Sequence, residues 1–194
     1  MNKTILSFAI SLCVLAFLVI EVSAQTQFQV LATKKTSTAE KEMNQAAQEG
    51  FRFEGVSGGE TSVGGSEVVV VMAKSSDSNT SGRFQYKLLA TKKTGTMQKE
   101  LQESGDSGFE YRGQTIFNST FGGQEVVIIL EKDTSIVAKR FEYKLLATSK
   151  TSTMQKELNE VGAAGFKYVG LTTAETSFGG KELVVILKRE TTLR

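Results

Sequence analysis

The chain has 194 residues, a formal net charge of +2, one cysteine, and no histidine, proline or tryptophan. Those absences exclude a histidine-based catalytic triad and a His/Cys zinc cluster. The near balance of charge gives no broad electrostatic case for nucleic acid or an anionic membrane as partner.

In chain order, residues 1–24 read as a secretory signal. Lys3 supplies the positive start, Ile5–Ile20 is an apolar and small-residue run, and Val22-Ser23-Ala24 is a small-residue cleavage site. The run is short against the ~20 residues of a membrane span. Cleavage is therefore expected, with a mature chain from Gln25 and no transmembrane segment; a retained anchor is the rival reading. Cys13 leaves with the signal and is not preceded by a lipobox. The expected product is secreted or periplasmic and must hold its fold by packing, without a disulfide.

From Gln25 onward one pattern occurs three times. Phe28–Lys74, Phe84–Lys132 and Phe141–Arg189 align without an internal gap, and the last two share about 29 of 49 positions. Leu-Ala-Thr recurs at Leu31, Leu89 and Leu146, Gly-Phe at Gly50, Gly108 and Gly165, and Gly-Gly-x-Glu at Gly64, Gly122 and Gly179. The boundaries are residues 25–76, 84–132 and 141–194 for the repeats and 77–83 and 133–140 for the linkers. Ser75–Gly82, rich in Ser and Asn, reads as a flexible surface connection. The first copy diverges most, with Ala39 for Met97 and Met154, as terminal repeats that act as caps often do.

The third copy shows the unit most clearly. Phe141–Thr148 alternates with period two and predicts a strand. Ser152 with Gln155, and Ser37 with Glu40, fit capping boxes that open a helix. Met154, Leu158 and Val161 form its apolar stripe, and Gly162 and Gly165 are expected to end it. Phe166–Thr172 and Glu182–Lys188 predict two further strands. The last is apolar on both faces, as are Val68–Met72 and Val126–Leu130, so a helix on one side cannot be its only cover. A unit of about 50 residues is also marginal alone. The expectation is an α+β fold: three β-α-β-β repeats in one pseudo-threefold domain, or an oligomer doing the same job, sheets inside and helices outside.

Three groups of residues invite a functional reading. The turns Thr33–Thr36, Thr91–Thr94 and Thr148–Thr151 place Lys34, Lys35, Thr36, Lys92, Lys93, Thr94, Lys150 and Thr151 at helix N-termini. Free N–H groups, the helix dipole and lysines there suit an anion; solvated lysines beside a helix start suit the same residues. Glu67, Glu125 and Glu182 either meet at an axis to hold a cation or guard the heads of apolar strands. Tyr86, Tyr111, Tyr143 and Tyr168 read as core or as a stacking surface. No carboxylate pair stands out for acid–base work. No enzyme, cofactor or metal is expected.

Tyr143-Lys144-Leu145, Lys156-Glu157-Leu158-Asn159, Gly162-x-x-Gly165-Phe166-Lys167-Tyr168-Val169 and Gly180 to Leu187-Lys188-Arg189 together resemble a small bacterial family, the domain of unknown function 4177. That family is a β-α-β-β unit usually present once; Phe166 stands where it commonly has Trp. The resemblance implies the fold and a bacterial origin, and it lends no activity. The expected function is a non-enzymatic binding or structural module of a bacterial envelope, its partner an unidentified macromolecule or a further copy of itself. The alternative is a small-anion or polyanion binder at the lysine turns.

Overall fold

A computed structural model describes residues 25–61, 65–77, 79–118, 123–137, 139–175 and 180–191. The expected signal segment, residues 1–24, lies outside the described residues, as do Gly64, Gly122 and Gly179 of the glycine motif.

Module 1 comprises β1 (Thr26–Thr33), α1 (Thr36–Gln48), β2 (Arg52–Thr61) and β3 (Gly65–Ser75). Module 2 comprises β4 (Phe84–Thr91), α2 (Thr94–Asp106), β5 (Glu110–Asn118) and β6 (Gln124–Asp133). Module 3 comprises β7 (Arg140–Thr148), α3 (Thr151–Ala163), β8 (Lys167–Glu175) and β9 (Lys181–Thr191). Each folds as an antiparallel sheet with its third strand in the middle: β1-β3-β2, β4-β6-β5 and β7-β9-β8. The α+β repeat is what the sequence leads one to expect.

Register explains why the central strands β6 and β9 are apolar throughout. Val126, Ile128 and Leu130 of β6 pack with Met97 and Leu101 of α2, the helix of their own module. The alternate residues Val127 and Ile129 pack with Met43, Ala46 and Ala47 of α1, the helix of the preceding module. Both faces of sheet 2 are thus covered by helices, and all of Val126–Glu131 is buried. Sheet 3 repeats the arrangement, with Val184 and Ile186 toward α2 and Val185 and Leu187 toward α3.

The extensive contacts run step by step: α1 on β4 and β2 on β5, then α2 on β7 and β5 on β8. Among the described residues the modules therefore join as a succession of like steps, module 1 to 2 and 2 to 3, and not around a closed three-way core. Glycines make the close approaches possible. A Cβ on Gly58 would collide with the Ile116 carbonyl, and one on Gly105 with the Phe141 carbonyl.

Four local expectations are corrected. The helices begin at Thr36, Thr94 and Thr151 behind extended Lys35, Lys93 and Lys150, and no side chain caps them, so Ser37 and Ser152 sit inside the first turn. The useful hydroxyls lie earlier. Thr33 Oγ1 accepts from Lys35 N–H at 3.2 Å, and Thr91 and Thr148 do the same for Lys93 and Lys150. Gly162 lies within α3, and it is Gly165, at φ +87°, that leaves the helix in the left-handed region. The first linker is tied down at its described part: Gly82 N–H donates to Ala47 O and Thr80 Oγ1 to Gly50 O, closing the α1 C-terminus. Module 1 is also no polar cap, since its outer sheet face carries Phe28 and Val30, 68% and 62% exposed.

Candidate functional site

The side chains that the fold organises most tightly lie between modules. β4 is an edge strand of sheet 2, and its outward backbone groups would normally go to solvent. Asn44 of α1 meets them instead: its Nδ2 donates to Tyr86 O and its Oδ1 accepts from Tyr86 N–H, both at 2.9 Å. One turn earlier, Glu40 Oε2 accepts from Leu88 N–H at 2.8 Å. The same pattern recurs one step on. Gln102 Oε1 accepts from Tyr143 N–H and Gln98 Oε1 from Leu145 N–H, while their amides donate to Phe141 O and Tyr143 O. Glu40, expected in a capping box, serves the neighbouring module because its place on the helix faces that strand edge.

Beneath this edge lies a buried polar centre. Tyr86 Oη accepts from Phe53 N–H and donates to Glu131, each at 2.8 Å. Arg52 binds Glu131 through two nitrogens, 2.8–3.2 Å away, and its guanidinium lies 4.3 Å over the Phe84 ring. That bond to Glu131 is the main reason the Arg52 pKa is raised. Burial, reinforced by the Glu131 charge, pushes the Tyr86 hydroxyl far above its ordinary value. In the second junction Tyr143 Oη accepts from Tyr111 N–H at 2.6 Å and donates to Phe109 O at 3.0 Å. Its ion pair has the opposite sense, Glu110 from module 2 with Lys188 from module 3, and Lys188 lies over the Phe141 ring. Burial likewise raises the Tyr111 and Tyr143 hydroxyls.

The tyrosines therefore divide. Tyr86 and Tyr143 are core, Tyr111 is half-buried, and Tyr168 is 59% exposed, so the four form no stacking surface. Lys34, Lys35, Lys92, Lys93 and Lys150 are exposed, with Thr36 and Thr94 half-buried and Thr151 exposed, in three turns that belong to three different modules. A cleft of about 430 Å³ reaches Thr36, but acidic Glu40, Glu100 and Glu103 line it beside Lys87. Glu67, Glu125 and Glu182 stand at the heads of three separate sheets. Among the described residues no three of His, Cys, Asp and Glu gather as ligands for a metal, and no helix is long and apolar enough to cross a membrane.

Sequence reasoning missed the edge-reading amides. Their signal was present: polar, mostly uncharged side chains four residues apart on each helix, at Glu40/Asn44, Gln98/Gln102 and Gln155/Asn159. Compared with family models, with curated proteins and with solved structures, the chain finds no match.

Proposed function

We propose that the protein is an exported, non-catalytic repeat module of a bacterial envelope, acting through structure and association. The observation that supports this best is where its buried polar chemistry goes. Glu131 and Tyr86, the buried groups whose charge and environment would suit catalysis, are taken up by one another, by half-buried Arg52 and by the Phe53 backbone. They brace one module on the next, and such an interior is a fastening rather than a reaction centre. The signal-like start and the family resemblance support export and a bacterial source. N-terminal sequencing of the protein recovered from a secreting host is expected to begin at Gln25.

Thermal melting tests the module reading. Anything that binds only the native state raises the melting temperature by mass action. Melts in phosphate, polyphosphate, sulfated glycan, nucleotide and calcium, at fixed ionic strength, are expected to coincide. Turnover of ester, phosphoester or glycoside substrates that follows the protein through purification would overturn it. One observation favours the second reading, an anion binder: the helix starts carry no side-chain cap. A rise confined to one anion class, lost in a K34A/K92A/K150A variant, would establish that binder.

A further inference from the structure

Each internal junction has an upstream half and a downstream half. Upstream are two helix side chains that read a strand edge, a small helix residue at the contact, and an aromatic ring at the start of the second strand. Downstream are the strand edge itself and a glycine that receives the ring. In the first junction Phe53 packs on Gly113, within 3.2 Å of a Cβ placed there. In the second, Tyr111 packs on Gly170, and Gly105 of α2 lies against Phe141 and Tyr143 of β7.

The chain carries one spare half at each end. At the module 3 end, Gln155 and Asn159 occupy the places of Gln98 and Gln102, exposed and bonded to each other at 3.2 Å. Gly162, in the place of Gly105, has open space where its Cβ would be. Tyr168, in the place of Phe53 and Tyr111, projects into solvent. At the module 1 end, the free edge of β1 offers Phe28 and Val30 in the places of Tyr86 and Leu88. Gly55, in the place of Gly113 and Gly170, has nothing within 4 Å of its Cβ direction.

Building on the module proposed above, we propose that a second copy of this chain is its partner, docked head to tail, α3 and β8 of one copy on β1 and the outer face of sheet 1 of the next. The interface continues the step already made twice within the chain, and it is heterologous: such contacts close into rings or extend into filaments. Residues at its centre also set its strength. Where the internal junctions hold Arg52–Glu131 and Glu110–Lys188, the intermolecular one places Lys167 against Ala73, and Phe28 lacks the hydroxyl of Tyr86 and Tyr143. It therefore keeps the apolar contact and the edge bonds without the ion pair, and it forms and breaks with concentration while the internal junctions stay closed.

Sedimentation velocity and light scattering of the full chain over a concentration series test this. The mass is expected to rise in steps of one chain. A head-blocked F28K/V30K variant and a tail-blocked Q155A/N159A/Y168A variant change only exposed groups, and circular dichroism melts will report whether each keeps the fold. Each is expected to weaken self-association roughly 100-fold. Mixed together, the two are expected to form a one-to-one dimer that grows no further, since one retains the tail and the other the head. A wild-type chain that stays monomeric throughout overturns the proposal. So does an association abolished by the head variant and untouched by the tail variant, which would assign the face to β1–β1 pairing or to residues 1–24. These outcomes leave the non-catalytic reading to the turnover and melting assays, so the two failures are distinguishable.

Discussion

Asn44 and Asn159 occupy equivalent places in α1 and α3 and differ only in what stands opposite, so they make a matched pair. Asn44→Ala removes the donor to Tyr86 O and the acceptor for Tyr86 N–H, both at 2.9 Å. Tyr86 is buried, so water does not replace the lost partner freely. Each orphaned backbone group costs about 1–1.5 kcal/mol, near the low end for a buried group because the site is only partly enclosed. The expected destabilisation is about 2–3 kcal/mol. Asn159→Ala, on an exposed helix face whose amide partner is Gln155, is expected to change stability by less than about 0.5 kcal/mol in dilute solution. Urea unfolding followed by circular dichroism measures both, the midpoint falling by about 1 M for Asn44→Ala at the slope usual for a domain of this size. Amide exchange at Tyr86 should accelerate in step. If both variants melt alike, the strand edge does not depend on the helix amide, and the account of the module junction is wrong.

Gly58→Ala should be among the most damaging small substitutions, because its methyl would overlap the Ile116 carbonyl where β2 meets β5; a loss of about 3 kcal/mol or more is expected in the same unfolding assay. Arg52→Ala leaves buried Glu131 with the Tyr86 hydroxyl and the more distant Arg112, 3.7 Å away, and should cost about 3 kcal/mol, whereas a paired Arg52→Met, Glu131→Met variant should recover part of it, since the Tyr86 hydroxyl then loses its acceptor. Alkali should unfold the protein. The Tyr86, Tyr111 and Tyr143 hydroxyls titrate above their unfolded value of 10.0, so the stability they confer is complete below that pH and is lost as pH rises through it. Each tyrosine should steepen the decline by about 1.4 kcal/mol per pH unit, and Tyr143→Phe should remove one such increment from the measured slope.

The repeat, its strand and helix content and the second cover on β6 and β9 were legible because they are local patterns, whereas β3, expected to be covered in the same way, keeps Val69 and Val71 only half-buried on the outer face of sheet 1. Val126–Leu130 cannot alternate between core and water, and that alone demands something on each side. The identity of the cover was not legible. It depends on α1 reaching past its own sheet to β4, and nothing within module 1 announces that. The same gap accounts for the misplaced caps. Ser37 and Glu40 have the spacing of a capping box, but Glu40 is drawn to Leu88 N–H, 48 residues on, which offers a partner that the helix start does not. Gly162 resembles a helix stop because glycine is costly inside a helix; its counterpart Gly105 shows the reason for tolerating that cost, a backbone-to-strand contact with no room for a methyl. The lysine turns do stand at the helix starts, while their exposure and their distribution over three modules could be learned only from the fold.

The opposed polarity of the two internal ion pairs bears on how the chain finds its own order. Modules 2 and 3 are close enough in sequence that either could settle on α1 as it emerges during synthesis. With Glu131 facing Arg52 the pairing is attractive; with Lys188 in that place two cations would meet over an aromatic ring. An arrangement that skips a module is thereby penalised before packing is complete. Similar repeats in tandem invite swapped and misordered species, and here a reversal of sign between the ion pairs of the two junctions favours each module's own neighbour.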